Sequence, residues 1–350
     1  MDRQAAMAEL ARGIVIPATP LALNSERKHD ERRQRALLQY YLNAGVGGLA
    51  VAVHTTQFAV RAPHVNLFKP ILQMAVEEAR QYEHTYNKPI VMVAGACGPT
   101  AQAVGEAEIA RSIGYDSVLL SPGGLSDLTE DDLLDRTRAV CKVMPVIGFY
   151  LQPSVGGRVF SYDYWRRFCE IENVVGIKCA SFNSYHTIDV MRAVCASDRC
   201  GDIAMYTGND NNILIDLLST YRFNIDGRIV EKRFVGGLLG HWAVWTQRVC
   251  ELFNQIKTQD SNVSSDMLIL ANEITDCNAA FFDTANNFAG CIAGIHEVLR
   301  RQGLLEGIWC LDENETLSPG QAEEIDRIYR MYPHLNDDDF VRTGLNTWLG

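Results

Sequence analysis

Short apolar runs alternate with longer segments of helical periodicity along most of the chain. The apolar runs are bounded by glycine or proline and lack a two-residue alternation, which is typical of strands buried on both faces of a parallel sheet. Eight such runs are predicted as strands: Gly13–Thr19, Gly48–His54, Pro89–Gly95, Ser117–Ser121, Pro145–Tyr150, Val174–Lys178, Ile203–Thr207 and Phe234–Leu239.

A helix is predicted after each strand. The helical segments are Glu31–Ala44, Leu67–His84, Thr100–Ile113, Asp131–Val143, Tyr162–Ile171, Tyr185–Val194, Asn212–Leu218 and Trp245–Ile256. Eight strand–helix units joined by right-handed crossovers favour an α/β fold of the TIM (β/α)8 barrel type over an open, doubly wound sheet. The charged segment Tyr221–Arg233 contains Asp226-Gly227 and is predicted as a surface loop or hairpin.

Residues 1–257 are predicted to form the catalytic barrel, and residues 258–350 a C-terminal helical region packed on it. Within this region, Ser265–Gln302 has helical spacing that is expected to break near Thr275–Asn278. Pro319–Met331 is predicted as a further helix.

Composition and charge narrow the function classes. The 350 residues are 47% hydrophobic and 21% charged, as in ordinary globular proteins. With 32 Lys and Arg against 43 Asp and Glu, the net charge of −11 disfavours nucleic acid or an anionic membrane surface as a partner. A small anionic substrate needs only a few local donors and remains compatible with this charge.

Ten cysteines without a C-x-x-C pair are predicted to be buried, reduced thiols. The first residues lack the apolar core of a signal peptide, and no apolar run reaches the length of a membrane span. A cytoplasmic location without a membrane partner is therefore expected.

Lys178 ends the sixth predicted strand, and reactive groups of barrels lie at the carboxyl ends of strands. Burial there would lower the pKa of its amine and permit attack on a carbonyl; the alternative is a lysine that reaches solvent. Tyr150 ends the preceding strand, and its phenol is expected to meet the amine over one pocket. The alternative for Tyr150 is a packed aromatic ring.

Five motifs in family order resemble the dihydrodipicolinate synthase and N-acetylneuraminate lyase superfamily, over roughly residues 13–300. These motifs are Gly13–Pro20, His54–Thr56, Gly148–Pro153, Asn173–Ser181 and Thr207–Asp210. The resemblance implies a class I aldolase on a TIM barrel that forms a Schiff base on a lysine. It also implies that neither a metal nor another cofactor takes part, and no H-E-x-x-H or cysteine-rich metal motif competes with it.

By this resemblance, Lys178 would form the Schiff base and Tyr150 would relay protons. Thr55 and Thr56 would hold the carboxylate of pyruvate or another 2-oxo acid. Leu239 would line the pyruvate pocket with its backbone, and Gly208 and Asp210 would border an aldehyde-type co-substrate. The resemblance further implies a homodimer or homotetramer.

The departures from the family pattern matter for the substrate. The family's Gly-Thr-Thr-Gly-Glu is His54-Thr-Thr-Gln-Phe58 here, and Pro122-Gly-Gly124 replaces the Pro-Tyr-Tyr of dihydrodipicolinate synthases. Arg158 is a candidate for the arginine that those enzymes place elsewhere. These differences disfavour lysine biosynthesis. His54 and His241 are candidate general acids or bases near the substrate, with structural hydrogen bonding as the alternative.

Three functions remain open from the sequence. The first is a metal-independent lyase that cleaves or forms an aldol bond. The second is a dehydratase or hydratase-aldolase acting on a keto-deoxy sugar acid or an arylidene-pyruvate. The third is a non-catalytic protein that binds a 2-oxo acid, suggested by the altered segments. The presence of both Lys178 and Tyr150 favours an enzyme.

Overall fold

The computed structural model describes residues 3–258 and 262–350. Its strands are β1 Val15–Pro17, β2 Gly48–Val51, β3 Val91–Ala96, β4 Ser117–Leu120, β5 Val146–Leu151, β6 Val174–Ala180, β7 Ala204–Thr207, β8 Tyr221–Ile225, β9 Arg228–Lys232 and β10 Phe234–Leu239. Eight of them form a nearly closed parallel barrel in the order β1-β10-β7-β6-β5-β4-β3-β2, which confirms the predicted fold class.

The helices follow the predicted alternation. They are α1 Arg3–Arg12, α2 Glu31–Ala44, α3 Phe68–Tyr86, α4 Thr100–Ile113, α5 Glu130–Cys141, α6 Tyr162–Cys169, α7 Ser184–Cys195, α8 Ile213–Leu218, α9 Thr246–Thr258, α10 Ser265–Phe281, α11 Cys291–Arg301, α12 Gln321–Met331 and α13 Asp338–Trp348. The terminal helices α1 and α13 were not predicted. Every residue of β3, β4 and β5 is buried, as expected for strands covered on both faces.

The chain divides into two compact units, and the predicted boundary after residue 257 stays a prediction. The first unit comprises Met1–Ile14 and Val91–Leu238. Its register pairs Phe149 of β5 with Lys178 of β6, and Cys179 of β6 with Thr207 of β7. Because these strands are parallel and continuous, their carboxyl ends lie side by side.

The segment that precedes β1 passes close to β10 at Gly13. Gly13 has φ +89°, and a β-carbon placed on it would lie 1.8 Å from the Val235 carbonyl oxygen. The chain can therefore pass β10 only without a side chain at this position. In the same unit, Tyr206 donates a hydrogen bond to the Leu10 carbonyl, which anchors the end of α1.

The charged segment after α8 is the antiparallel hairpin β8–β9. Asp226 and Gly227 both have positive φ, 49° and 83°, as a two-residue turn of type I′ requires. Of the two predicted alternatives, a surface loop or a hairpin, the structure shows the hairpin.

The second unit comprises Val15–Ile90 and Leu239–Gly350. Its two short strands, β1 and β2, meet through the parallel bridge between Ala18 and Ala50. Helix α10 runs unbroken through residues 275–278, so the break predicted there was wrong. Asp276 is paired with Arg327 at 2.7 Å, and such tertiary contacts override weak local propensity. The chain instead leaves the helix near Asp283, which has φ 55°.

All ten cysteines are free; eight are buried, as predicted, whereas Cys97 and Cys200 are only half-buried. Of the helices in the described ranges, none is both long enough and apolar enough to cross a bilayer.

Candidate active site

Lys178 lies in β6 with its amine in an enclosed, aromatic environment. The residue is 7% exposed, and its Nζ lies 4.3 Å from the ring centroid of Phe149 on the neighbouring strand. Burial lowers the pKa of Lys178 from 10.5 to about 8, and the nearby charge of Asp210 acts in the opposite direction. The amine is therefore far more often uncharged at neutral pH than an ordinary lysine.

The turn after β7 packs directly on this lysine. Gly208 donates its backbone N–H to the Cys179 carbonyl oxygen at 2.7 Å. A β-carbon on Gly208 would lie 2.6 Å from Lys178 Cε and 2.9 Å from Ala180 Cβ, closer than side-chain carbons approach. Any side chain at this position would therefore displace Lys178 or Ala180.

The buried carboxylate of Asp216 forms hydrogen bonds with residues in and around the same turn. Asp216 accepts hydrogen bonds from the Thr207 hydroxyl at 2.6 Å, from Asn209 Nδ2 at 2.8 Å and from Asn212 Nδ2 at 2.9 Å. Burial raises the pKa of Asp216, opposed by these hydrogen bonds. Sequence reasoning missed Asp216, because its spacing within α8 is that of any polar helix residue.

Tyr150 faces away from the Lys178 amine. Its ring stacks on Trp165 of α6 at 5.5 Å and on His186 of α7 at 5.9 Å. Successive side chains of a strand point to opposite faces, so Phe149, which pairs with Lys178, takes the position over the amine. The structure therefore does not bring the Tyr150 ring to the lysine as expected from the sequence.

Burial raises the pKa of Tyr150 to about 12, with the Phe160 backbone acting in the opposite direction. Among the described residues, the phenol oxygen has no hydrogen-bond partner of good geometry. The proton-relay role of Tyr150 stays a prediction, and it would require the phenol to act from the helix side of β5.

Arg158 is engaged in loop contacts. Its Nη1 donates to the Leu128 carbonyl oxygen at 2.6 Å, and its guanidinium lies 5.6 Å from the Phe160 ring centroid. Its role toward a substrate stays a prediction.

In the second unit, the His54–Thr56 turn follows β2 as a short 3-10 helix. The Thr55 hydroxyl donates to the Ala18 carbonyl oxygen at 2.7 Å, and the Thr56 hydroxyl donates to the Thr19 carbonyl oxygen at 2.6 Å. Since each hydroxyl has only one proton, neither hydroxyl has a proton left to donate to a carboxylate. The two threonines fix the turn to the end of β1.

Gln57 continues this turn with φ 71°, where the family pattern has glycine. The residue is 5% exposed, and its Oε1 accepts a hydrogen bond from the Leu311 backbone N–H at 2.6 Å. Among the residues that the structure describes, its Nε2 has no hydrogen-bond partner.

The two candidate histidines lie after β2 and β10. His241 is almost fully buried, which lowers its pKa to about 4, although a hydrogen bond with Asn278 acts in the opposite direction. It is therefore neutral at pH 7. The His54 ring lies edge-on to Phe58 at 5.9 Å. Leu239 accepts a hydrogen bond from the Ala18 N–H at 3.1 Å, so its backbone lies at the end of β1. Substrate contacts by all three stay predictions.

Sequence reasoning also missed Arg61. Its Nη2 donates to the Ala52 carbonyl oxygen, one residue beyond β2, at 3.0 Å, and its guanidinium lies 4.6 Å from the Phe68 ring centroid. A positive charge is thus fixed at the end of this strand. Nothing in the sequence distinguishes it from other surface arginines.

Residues 3–258 and 262–350 contain no group of three or more His, Cys, Asp or Glu side chains arranged to hold a metal ion.

The model of the dihydrodipicolinate synthetase family matches residues 10–221, and the chain belongs to this family. Its members include lyases and dehydratases, and the family comprises class I aldolases of the dihydrodipicolinate synthase and N-acetylneuraminate lyase type.

A probable 5-dehydro-4-deoxyglucarate dehydratase of Acinetobacter baumannii is 27% identical over 194 residues. The match covers 55% of this chain and only 58% of that protein's length. Dihydrodipicolinate synthase from Oceanobacillus iheyensis has a TM-score of 0.75 at 15% identity, over 95% of this chain and all of the other. The synthase from Acinetobacter baumannii complexed with pyruvate has a TM-score of 0.73 at 19% identity, over 91% of this chain and 98% of the other. These two structures show the same fold.

Proposed function

We propose that the protein is a class I lyase that forms a Schiff base between Lys178 and pyruvate or another 2-oxo acid, with no metal or other cofactor. The observation that carries this proposal is the buried Lys178 amine with its pKa lowered to about 8. An uncharged amine attacks the C2 carbonyl, and loss of water gives an iminium. The iminium withdraws electrons from C3, so that the C3–H bond breaks, its proton passes to solvent, and the resulting enamine can add to an aldehyde through C3.

The remaining site residues have supporting roles in this proposal. The turn that contains Thr55 and Thr56 holds the substrate carboxylate, while Gly208 and Asp210 border the aldehyde-type co-substrate. The support comes from family membership and from the contact of the Gly208 turn with Lys178. A cytoplasmic homodimer or homotetramer is part of the same proposal.

A dehydratase acting on a keto-deoxy sugar acid is the second candidate. It is favoured by the dehydratase relative, whose named substrate is a keto-deoxy sugar acid. It also fits the absence of Pro-Tyr-Tyr, which Pro122-Gly-Gly124 replaces. The same iminium on Lys178 would promote loss of a hydroxyl group instead of cleavage of a carbon–carbon bond.

The test is reductive trapping. The protein is incubated with pyruvate and borohydride, and peptide mass spectrometry locates the adduct. We expect it on Lys178, absent in Lys178→Met and retained in Lys232→Met, whose lysine pKa is also lowered by burial. No adduct with pyruvate or with a panel of 2-oxo acids would contradict a Schiff-base mechanism.

The reaction products distinguish an aldolase from a dehydratase. A new carbon–carbon bond with an aldehyde indicates an aldolase, and water loss from a keto-deoxy sugar acid indicates a dehydratase. An adduct on Lys178 without turnover of any substrate would instead indicate a 2-oxo-acid-binding protein.

A further inference from the structure

The connection from α7 to β7 carries a pair of cysteines that the proposed function does not use. Cys195 is the last residue of α7, and Cys200 follows it in the connection that leads to the amino end of β7. Active sites of barrels lie at the carboxyl ends of the strands. The pair belongs to the same compact unit as Lys178 but is separate from the Lys178 site.

The two thiols are in direct contact. The Cys195 thiol donates a hydrogen bond to the Cys200 sulfur, and this bond lowers the pKa of Cys200 while it raises the pKa of Cys195. Burial acts against the lowering at Cys200. The contact therefore joins one thiol that loses its proton readily to a second thiol that keeps it.

A positive charge is fixed beside Cys200. The Nζ atom of Lys232 in β9 donates to the Cys200 carbonyl oxygen at 2.5 Å, so the hairpin β8–β9 holds the ammonium group next to this residue. Burial lowers the pKa of Lys232, whereas the neighbouring sulfur of Cys200 acts in the opposite direction, and the Lys232 charge in turn lowers the pKa of Cys200. A cation beside a cysteine stabilises the thiolate, which is the reactive form of the side chain.

The two sulfurs differ in their access to solvent. Cys195 is 3% exposed, whereas Cys200 is half-buried and is followed by the exposed Gly201. A small oxidant in solution therefore reaches Cys200 first, and Cys195 is in position to react with the product. An accessible thiolate next to a second thiol is the arrangement of redox-sensing cysteines.

A third thiol lies near this pair. Cys169 of α6 interacts electrostatically with both Cys195 and Cys200. It is fully buried, and burial raises its pKa to about 12. Cys169 is therefore expected to be less reactive than Cys200, and it serves as an internal check on which sulfurs pair.

We propose that Cys195 and Cys200 form an oxidation site in which hydrogen peroxide converts the two thiols into a disulfide. The Cys200 thiolate, whose proton has passed to solvent, attacks one peroxide oxygen. The O–O bond breaks, which leaves a sulfenic acid on Cys200 and a hydroxide that takes a proton from solvent.

The second step closes the disulfide. Cys195 loses its proton, and its sulfur attacks the Cys200 sulfur. The S–O bond breaks, and the hydroxide leaves as water with the proton from Cys195. Two thiols are thus oxidised, and one hydrogen peroxide is reduced to two waters. The sulfurs must approach from hydrogen-bond contact to about 2.05 Å, and the exposed chain at Gly201, where a β-carbon would meet no atom within 4 Å, leaves room for this movement.

The experiment maps disulfides in the full-length protein after treatment with hydrogen peroxide. Unreacted thiols are blocked with iodoacetamide, and the protein is digested with trypsin without reduction. Because trypsin cleaves after Arg199, Cys195 and Cys200 fall on separate peptides, residues 193–199 and 200–222. We expect mass spectrometry to find these two peptides linked, with the loss of two hydrogen atoms, and dithiothreitol to separate them. Cys97, which is also half-buried, should still be alkylated at a dose that links the pair.

Substitutions distinguish the roles of the two cysteines. In Cys195→Ala, oxidation of Cys200 should stop at the sulfenic acid, which dimedone traps as an adduct. In Cys200→Ser, Cys195 should stay reduced at the same dose. Lys232→Met should slow the formation of the linked peptides, because it removes the charge that favours the thiolate. Arg228→Met, at an exposed position of the same strand, is the matched control and should leave this rate unchanged.

The outcomes decide the inference without reference to the Schiff base, because none of these measurements involves Lys178. Linked peptides 193–199 and 200–222 that form before Cys97 is oxidised would support it. No linked peptides at any dose that leaves the thermal unfolding midpoint of the protein unchanged would overturn it. Oxidation of Cys97 as fast as Cys200, or a disulfide from Cys169 to either partner, would also overturn it.

Discussion

Replacing Gly208 by alanine tests whether the turn after β7 holds Lys178 in its reactive position. The added methyl carbon would lie 2.6 Å from Lys178 Cε and 2.9 Å from Ala180 Cβ. Non-bonded carbon atoms in proteins approach to about 3.5 Å, so one partner must move by roughly 1 Å. The end of the lysine side chain is the partner that moves most easily.

A displacement of this size has a calculable effect. Misplacing a reacting group by about 1 Å lowers the rate by roughly 100-fold. The overpacked contact also lowers the free energy of unfolding by about 1–3 kcal/mol. We therefore expect Gly208→Ala to remain folded at 25 °C and to trap pyruvate about 100-fold more slowly than the parent protein.

The assay follows the initial rate of reductive trapping on the peptide that contains Lys178, with urea unfolding measured in parallel. Gly201→Ala is the matched control in the same unit, because Gly201 is exposed and a β-carbon there meets no atom within 4 Å. If Gly208→Ala and Gly201→Ala trapped pyruvate at the same rate with the same stability, the proposed packing of Gly208 on Lys178 would be refuted.

Three further predictions concern buried polar side chains. Tyr150→Phe should change the trapping rate less than threefold, because its ring faces α6 and α7; a 100-fold loss would contradict this expectation and support the proton-relay role of Tyr150. Asp216→Asn should lower the free energy of unfolding by about 1–3 kcal/mol in urea titration, since an amide nitrogen replaces a carboxylate oxygen that accepts hydrogen bonds. Unchanged stability would show that these hydrogen bonds do not stabilise the turn after β7. Burial lowers the pKa of His241 and of His296 from 6.5 to about 4, so the unfolded chain binds more protons between these values. The free energy of unfolding should therefore fall by up to about 3 kcal/mol per imidazole as the pH falls from 6.5 to about 4. The fall should be smaller in His241→Gln than in the parent protein. An equal fall in the two proteins would exclude a contribution of His241.

The barrel was predictable because each of its strands and helices has a local hydrophobic pattern, and this pattern repeats along the chain. Continuous apolar runs such as Val91–Ala96 can be satisfied only by burial on both faces, and Asp226-Gly227 encodes its own turn. The uninterrupted course of α10 was not predictable, because the polar residues around Asp276 are held in the helix by a partner 51 residues away. Such partners are invisible to a local pattern.

The burial of Lys178 was predictable from the apolar strand that contains it. The orientation of Tyr150 was not, since a one-residue difference in register moves a side chain to the opposite face of the sheet. Gln57 was recognised as a departure from the family pattern, but its bond to Leu311 joins residues 254 positions apart. Only the folded chain reveals that contact.

The pH dependence of trapping on Lys178 tests the account most directly. With a pKa of about 8 instead of 10.5, the uncharged fraction at pH 7 is about 300-fold larger than for an ordinary lysine. The rate of adduct formation with pyruvate should rise with a midpoint near pH 8. In Asp210→Asn the midpoint should be lower, because the Asp210 charge raises this pKa. A midpoint near 10.5, or an adduct on another lysine, would contradict Lys178 as the Schiff-base nucleophile.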